Sequence, residues 1–368
     1  MRGTAGQARI DETRLAVAYD LIDAWVCDDS VGGAVVAIAR DGIFLEPRAF
    51  GQRNWRGQQR PMAPEDVFLV ASVTKPFTAA MLMLEISRGR ASLSDRVVDH
   101  IPEFGDDDRE NRGDGRGNIR LIHLLTHTSG LPDMLETNEQ LRADHAPLSA
   151  FVEGTCHAPL LFPPGDRVSY QSKGTLLAGE IASRLSGVSL PDMLKTEIFD
   201  PCHMSSSVLG YDACLDDRVV AVELDDGIED QTDWHWNSDY WRHLGAPWGG
   251  MHASADDLLG WLQLFLTPRD DTAVFTLGPS VCNAMILDQT QSVIGLNPED
   301  RRHRRWGLGW RIGGWGDLAS SSAFSHGGAT GTLVGADPET GLACVLLTTR
   351  PGAPLGRLLT AIQGALLP

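Results

Sequence analysis

The chain of 368 residues predicts an α/β (α+β) fold: an antiparallel sheet closed by both termini, flanked by helices, with an inserted all-helical region. Three observations point there. Strand-like apolar runs lie near both ends of the chain. Helical periodicities fill the middle. Hydrophobic residues make up 42% of the chain, enough to build a sizeable core. At roughly 100–200 residues per domain, the length suits two units or one large domain with an insertion. The expected division is 1–90 plus 245–368 as the α/β domain and 91–244 as the helical insertion, with the active site in the cleft between them.

Along the chain, Leu15, Tyr19, Ile22 and Trp25 or Val26 have the spacing of an amphipathic helix over 13–26. Gly32 and Gly33 end it. Residues 34–39 (AVVAIA) read as a buried strand, and Asp41-Gly42 as a hairpin turn into a strand at 43–50. Residues 67–71 approach as a strand and 73–88 follow as a helix, with Gly89 as its C-cap. The acidic, glycine-rich stretch 103–118 reads as an exposed loop, and 225–241 as irregular. Short helical patterns fill 119–200, among them 174–186. A helix follows at 254–265, opened by Ser254 as N-cap. Strand patterns return at 308–312, 332–337 and 343–348, and 358–366 makes a last helix.

Charge narrows the function. The net charge of −18 argues against nucleic acid, because phosphate binding needs a basic face, and against anionic membranes. No apolar run approaches the roughly 18 residues a membrane span needs. The polar start of the chain lacks an apolar leader core, so a cytoplasmic location is expected, and with it six reduced cysteines. His123 and His127 are spaced like zinc ligands, but no Glu follows His123 and no third ligand is evident. No metal and no cofactor are expected.

Only three of the 31 basic residues are lysines: Lys75, Lys173 and Lys195. Lysine can lose its proton near neutral pH, whereas arginine cannot. Ser72 and Lys75 stand three apart where a strand turns into a helix, so hydroxyl and amine share a face. A neutral amine beside a serine makes a nucleophile with its base, and the helix N-terminus offers N–H groups to developing negative charge. Taken alone, the pair fits a capping serine and a lysine reaching to solvent equally well.

Two further segments stand in order after it: Val168-Ser169-Tyr170-Gln171-Ser172, led by Phe162-Pro163-Pro164-Gly165, and Phe324-Ser325-His326-Gly327-Gly328-Ala329-Thr330-Gly331. Around them lie LLTHTSGLP at 124–132, GGMHAS at 249–254 and WGLGW at 306–310. With these motifs, the chain from about 30 to 350 resembles the serine β-lactamase and penicillin-binding-protein superfamily. The branch is that of class C β-lactamases, D,D-peptidases, D-amino-acid amidases and esterases. The resemblance implies Ser72 as nucleophile, Lys75 as its proton partner and Tyr170 as general base and then acid. It implies the N–H groups of Ser72 and Ala329 as oxyanion hole, and Ser172, His326, Gly327 and Gly328 lining the substrate cleft.

The chain departs from the family pattern twice. Ser172 replaces the Asn of the Y-x-N motif, and His326-Gly327-Gly328 replaces Lys-Thr-Gly, so a side-chain amide and a hydroxyl are lost. Both changes weigh against efficient β-lactam hydrolysis. Four tryptophans fall within 234–248, where they serve core packing or, as Trp236 and Trp241, an aromatic wall for an apolar acyl group. The expected activity is a serine acyl-enzyme hydrolase acting on a small-molecule ester or amide. The alternatives are a transacylase passing the acyl group to an amine or alcohol, and a β-lactamase or non-catalytic penicillin-binding sensor.

Overall fold

A computed structural model describes residues 1–105, 115–224, 232–266, 277–293 and 295–368. Part of the expected loop at 103–118 and of the irregular stretch at 225–241 therefore lies outside the described residues.

The main sheet contains β1 (Gly33–Arg40), β2 (Ile43–Phe44), β3 (Arg48–Trp55), β4 (Gln58–Pro61), β9 (Arg311–Ile312), β10 (Phe324–Gly328), β11 (Thr332–Asp337) and β12 (Leu342–Thr348). Its order is β4-β3-β1-β12-β11-β10-β9, with β2 paired to β1. Every pairing in it is antiparallel. The two ends of the chain meet at its centre, where β1 pairs with β12 from Ala34↔Thr348 to Arg40↔Leu342.

All eight residues of β1 are buried because both faces of the sheet are covered. Ala34, Val36 and Ile38 join Leu342, Cys344 and Leu346 under the terminal helices α1 (Glu12–Cys27) and α13 (Leu355–Gly364). Val35, Ala37 and Ala39 face the other way with Val345 and Leu347, against α10 (Ala255–Leu266) and the core around α2 (Thr74–Ser87). The period-two alternation of a strand thus feeds two cores from one segment.

Between the strands of the main sheet, residues 97–244 carry α3 (Val97–His100), α4 (Leu121–Leu125), α5 (Asn138–Ala143), α6 (Leu148–His157), α7 (Lys173–Ser186), α8 (Leu190–Leu194) and α9 (Asp239–Leu244). The same stretch supplies two short strands, β6 (Val208–Leu209) and β7 (Val219–Val220). These join β5 (Val67–Leu69) and β8 (Met251–Ser254) in a small sheet of order β6-β8-β5-β7. The remaining helices are α11 (Pro279–Ile286) and α12 (Asp300–His303).

The expected strand at 43–50 divides into β2 and β3, with β3 running on to Trp55, and 308–312 pairs only at its last two residues. Ser254 ends β8, and its Oγ accepts the Asp257 N–H at 3.3 Å at the start of α10. Cys27, Cys156, Cys214 and Cys344 are free thiols. Among the described residues, no helix is long and apolar enough to cross a membrane.

Candidate active site

Strand β5 delivers the chain to the site. The Val70 N–H donates to the Met251 carbonyl at 2.9 Å, and Ala71 then takes the left-handed conformation at φ 47°. For a residue with a Cβ this is strained by roughly 1–3 kcal/mol. A single 3₁₀ turn, Ala71–Val73, leads into α2. Thr74 pins the turn: its hydroxyl donates to the Ala71 carbonyl at 2.7 Å and accepts the Met251 N–H at 3.1 Å. Ser72 is thereby held at the mouth of a helix that no side chain caps.

Lys75, one turn further, is 2% exposed. Its Nζ donates to Ser72 Oγ at 2.9 Å and to the Trp248 carbonyl at 3.0 Å. Burial lowers the amine to about 7, opposed by the charge of Asp133 and reinforced by that of Lys173.

Tyr170 completes the cluster. Its ring centroid lies 4.8 Å from Lys75 Nζ, 4.8 Å from the His127 ring and 5.8 Å from Trp306. Packing among these groups raises the phenol above its ordinary 10, while a hydrogen bond with Ser72 opposes the rise. Tyr170 nonetheless keeps 37% of its surface open, on the cleft. The segment carrying it is zipped to the LLTHTSGLP stretch. Ser169 N–H donates to the His127 carbonyl at 2.8 Å, Gln171 N–H to His127 Nδ1 at 3.2 Å, and Ser129 Oγ to Gln171 Oε1 at 2.7 Å. The zinc-like spacing of the histidines therefore has a structural use: His123 Nδ1 likewise accepts a backbone N–H, that of Arg120, at 3.1 Å.

The far wall is β10. Gly328 has no room for a side chain: a Cβ there would run into the Val70 carbonyl and the Thr332 hydroxyl. Thr330 and Thr332 latch the turn after β10 onto the end of β5, donating to the Leu69 carbonyl at 2.6 Å and the Val70 carbonyl at 2.9 Å. Ala329, exposed, sits in that turn. Burial and the charge of Lys75 lower His326 to about 3, so its ring is neutral, with Nδ1 2.9 Å from the Gly327 carbonyl.

Two of the residues expected to meet the substrate are buried. Ser172 is 2% exposed and donates its hydroxyl to Asp133 Oδ1 at 2.7 Å, so it does not present a free hydroxyl to the cleft. Trp241 is 3% exposed, beneath the Arg142 guanidinium at 4.4 Å and beside Trp248 at 6.4 Å, so it belongs to the core. Trp236 instead lines a cavity of about 640 Å³ with Arg142, Leu224, Trp234 and Arg350. None of Ser72, Lys75, Tyr170 or His326 lines that cavity. A second cavity, of about 550 Å³, is lined by Tyr170, Trp306, His326, Gly327 and Arg311. Sequence reasoning gave no role to Asp133, Lys173 or Trp306. The scarcity of lysine was the available signal for Lys173.

The family model described as Beta-lactamase matches residues 18–366. Penicillin-binding protein 4 of Amycolatopsis lactamdurans is 28% identical over 334 residues, covering 89% of this chain and 83% of that protein. Among solved structures, EstCE1, a hydrolase with promiscuous acyltransferase activity, superposes with a TM-score of 0.77 at 20% identity, over 97% of this chain and 99% of its own. A variant of simvastatin synthase from Aspergillus terreus gives 0.72 at 20% identity, over 98% and 95%. The chain belongs to the β-lactamase family and is a serine hydrolase of that superfamily.

Proposed function

We propose that the protein hydrolyses a small-molecule ester or amide through an acyl-enzyme on Ser72. The observation that carries this reading is the buried Lys75 amine, 2.9 Å from Ser72 Oγ and lowered to about 7. So lowered, the amine can shed its proton near neutral pH, and a neutral amine can take the hydroxyl proton as Oγ bonds to the substrate carbonyl carbon. The carbonyl electrons move onto oxygen, facing the N–H groups of Ser72 and Ala329. A preorganised donor of this kind typically contributes about 3–4 kcal/mol. The intermediate then collapses and expels the leaving group, which takes its proton from the Tyr170 hydroxyl. Tyr170 is reprotonated from Lys75. Water repeats the sequence in reverse on the acyl-enzyme. The raised phenol favours Tyr170 as proton donor rather than as a standing phenolate. The cavity lined by Tyr170, Trp306 and His326 would receive part of the substrate.

Transacylation is the second reading. An apolar wall such as Trp234 and Trp236 disfavours water and gives a bound amine or alcohol a high effective concentration. The promiscuous acyltransferase activity named for EstCE1, on the same fold, supports keeping it. β-Lactam turnover is disfavoured, because Ser172 is bound to Asp133 and Gly327 offers no hydroxyl.

A panel of p-nitrophenyl esters, D- and L-amino-acid amides and nitrocefin tests these readings, with amine or alcohol acceptors titrated in. We expect released acid from at least one ester or amide, loss of turnover in Ser72→Ala, and nitrocefin as the poorest substrate. An acyl or phosphonyl adduct found unchanged in Ser72→Ala would overturn the assignment. Conjugate outrunning acid would replace hydrolysis by transacylation.

A further inference from the structure

Lys173 opens α7, yet its side chain is turned inward and none of it is exposed. Among the described residues, its Nζ has no hydrogen-bond partner. Instead it lies 4.3 Å from the Trp248 ring and 5.3 Å from Phe151 of α6. A methionine or leucine would fill this space without desolvating an amine, so packing alone does not account for a lysine here. The position is informative because of Trp248. Its carbonyl accepts from Lys75 Nζ at 3.0 Å, while its ring carries Lys173. Two buried amines thus meet one residue, Lys75 at its carbonyl and Lys173 at its ring.

The groups facing them come from several elements. Lys75 is met by Ser72, by Tyr170, by the neutral rings of His127 and His326, and by the charges of Asp133 and Lys173. Lys173 is met by Asp133 and by Arg142 of α5. Among the described residues, Asp133 is the one carboxylate whose charge acts on both amines, and it is exposed, so solvent screens it. Two buried ammonium groups would share a single screened counter-charge, which favours one proton on the pair over two.

We propose that Lys173 is a positioning residue for the proton transfer: its buried amine beyond Trp248 repels a proton on Lys75 and so keeps Lys75 ready to accept the proton of Ser72. The proposal rests on the acyl-enzyme reading. Tyr170 and Ser72 need no change of place for it, because the effect is electrostatic.

The test is the pH profile of kcat/KM for p-nitrophenyl butyrate, read from the midpoint of its acid limb and not from its height. Lys173→Met should move that midpoint upward by about half a pH unit or more, since Lys75 then gains a proton more readily. Lys173→Arg, with a fixed charge, should move it downward, and Asp133→Asn should also move it downward. Circular dichroism and a thermal melt check the fold of each. Should the Met variant not fold, the Arg variant decides: a midpoint at or above that of the wild type overturns the proposal. An unmoved midpoint in a folded Met variant overturns it too. Ser72→Ala separates the two failures. If that variant still turns over the ester, the acyl-enzyme reading has failed. If it is inactive while the Lys173 variants leave the midpoint in place, only the role of Lys173 has failed.

Discussion

The three lysines of this chain show how environment decides what one side chain does. Lys195 stands on the surface, where a hydrogen bond to Asp200 at 2.8 Å raises its pKa. Lys75 and Lys173 lie in the interior, and burial lowers each to about 7. For Lys75 the consequence is a pH dependence with a definite sign. Below about 7 the amine is charged and cannot accept the Ser72 proton, so kcat/KM should fall as pH falls through that value and level off above it. Lys75→Arg should lose activity by roughly 10²–10⁴, because a guanidinium does not give up its proton, and raising the pH to 9 should not restore it. Tyr170→Phe makes a sharper test of the leaving-group role. A p-nitrophenolate leaves without a proton, whereas an alkoxide or amine needs one. The substitution should therefore cost an alkyl ester or amide on the order of 10²–10⁴ in rate and a p-nitrophenyl ester distinctly less, as paired assays would show. Equal losses on both would contradict proton donation by Tyr170.

At the scale of elements, the site is a meeting of ends. Helix α1 is capped at its start by Asp11, whose Oδ1 accepts from Thr13 N at 2.9 Å and Arg14 N at 3.1 Å. Helix α2 has no side-chain cap among the described residues, and Ser72, the proposed nucleophile, stands two residues ahead of its first residue. Its unsatisfied N–H end is available to a substrate oxyanion rather than spent on a local side chain. Strand β10 closes against that end only because residue 328 is glycine. Gly328→Ala should force β10 away from the Val70 carbonyl. We expect kcat/KM to drop by about tenfold or more, together with slower labelling of Ser72 by a fluorophosphonate. The glycine is needed here for close approach, since its φ is not among the positive ones.

For the molecule as a whole, the sheet separates a catalytic side from a supporting side. The core beneath α1 and α13 shares strands with the core behind the active site but none of its catalytic groups. Ile22 on α1 is fully buried in the former. Ile22→Ala should lower the free energy of unfolding in urea by about 2–5 kcal/mol, the usual range for such a truncation. Where the variant is folded, kcat/KM should stay within about twofold of the unaltered protein. A larger loss of activity without loss of stability would mean that the two faces of the sheet are mechanically coupled.

Much of this was written in the sequence. The period-two run of β1, the helical spacing of α1 and α10, and the order of the three motifs followed from local pattern, because alternation and a 3.6-residue period depend on neighbours in the chain. So did the meeting of Ser72 with Lys75, which stand three residues apart at the start of one helix. Other features came only with the tertiary structure. β4 (QQRP) has no apolar alternation and is a strand because β3 offers it an edge. Trp236 and Trp241 are five residues apart and alike in composition, yet Trp236, before α9, lines a cavity while Trp241, within α9, lies under Arg142, because which residues face the core is set by the packing and not by the local chain. Ser172 looked like a substrate contact until Asp133, 39 residues earlier, was seen to accept its hydroxyl. Lys173 was notable only for its rarity. That its amine shares Trp248 with Lys75 depends on α2, α7 and the segment before β8 converging, and burial, which sets a pKa, is a property of that convergence and not of any stretch of chain.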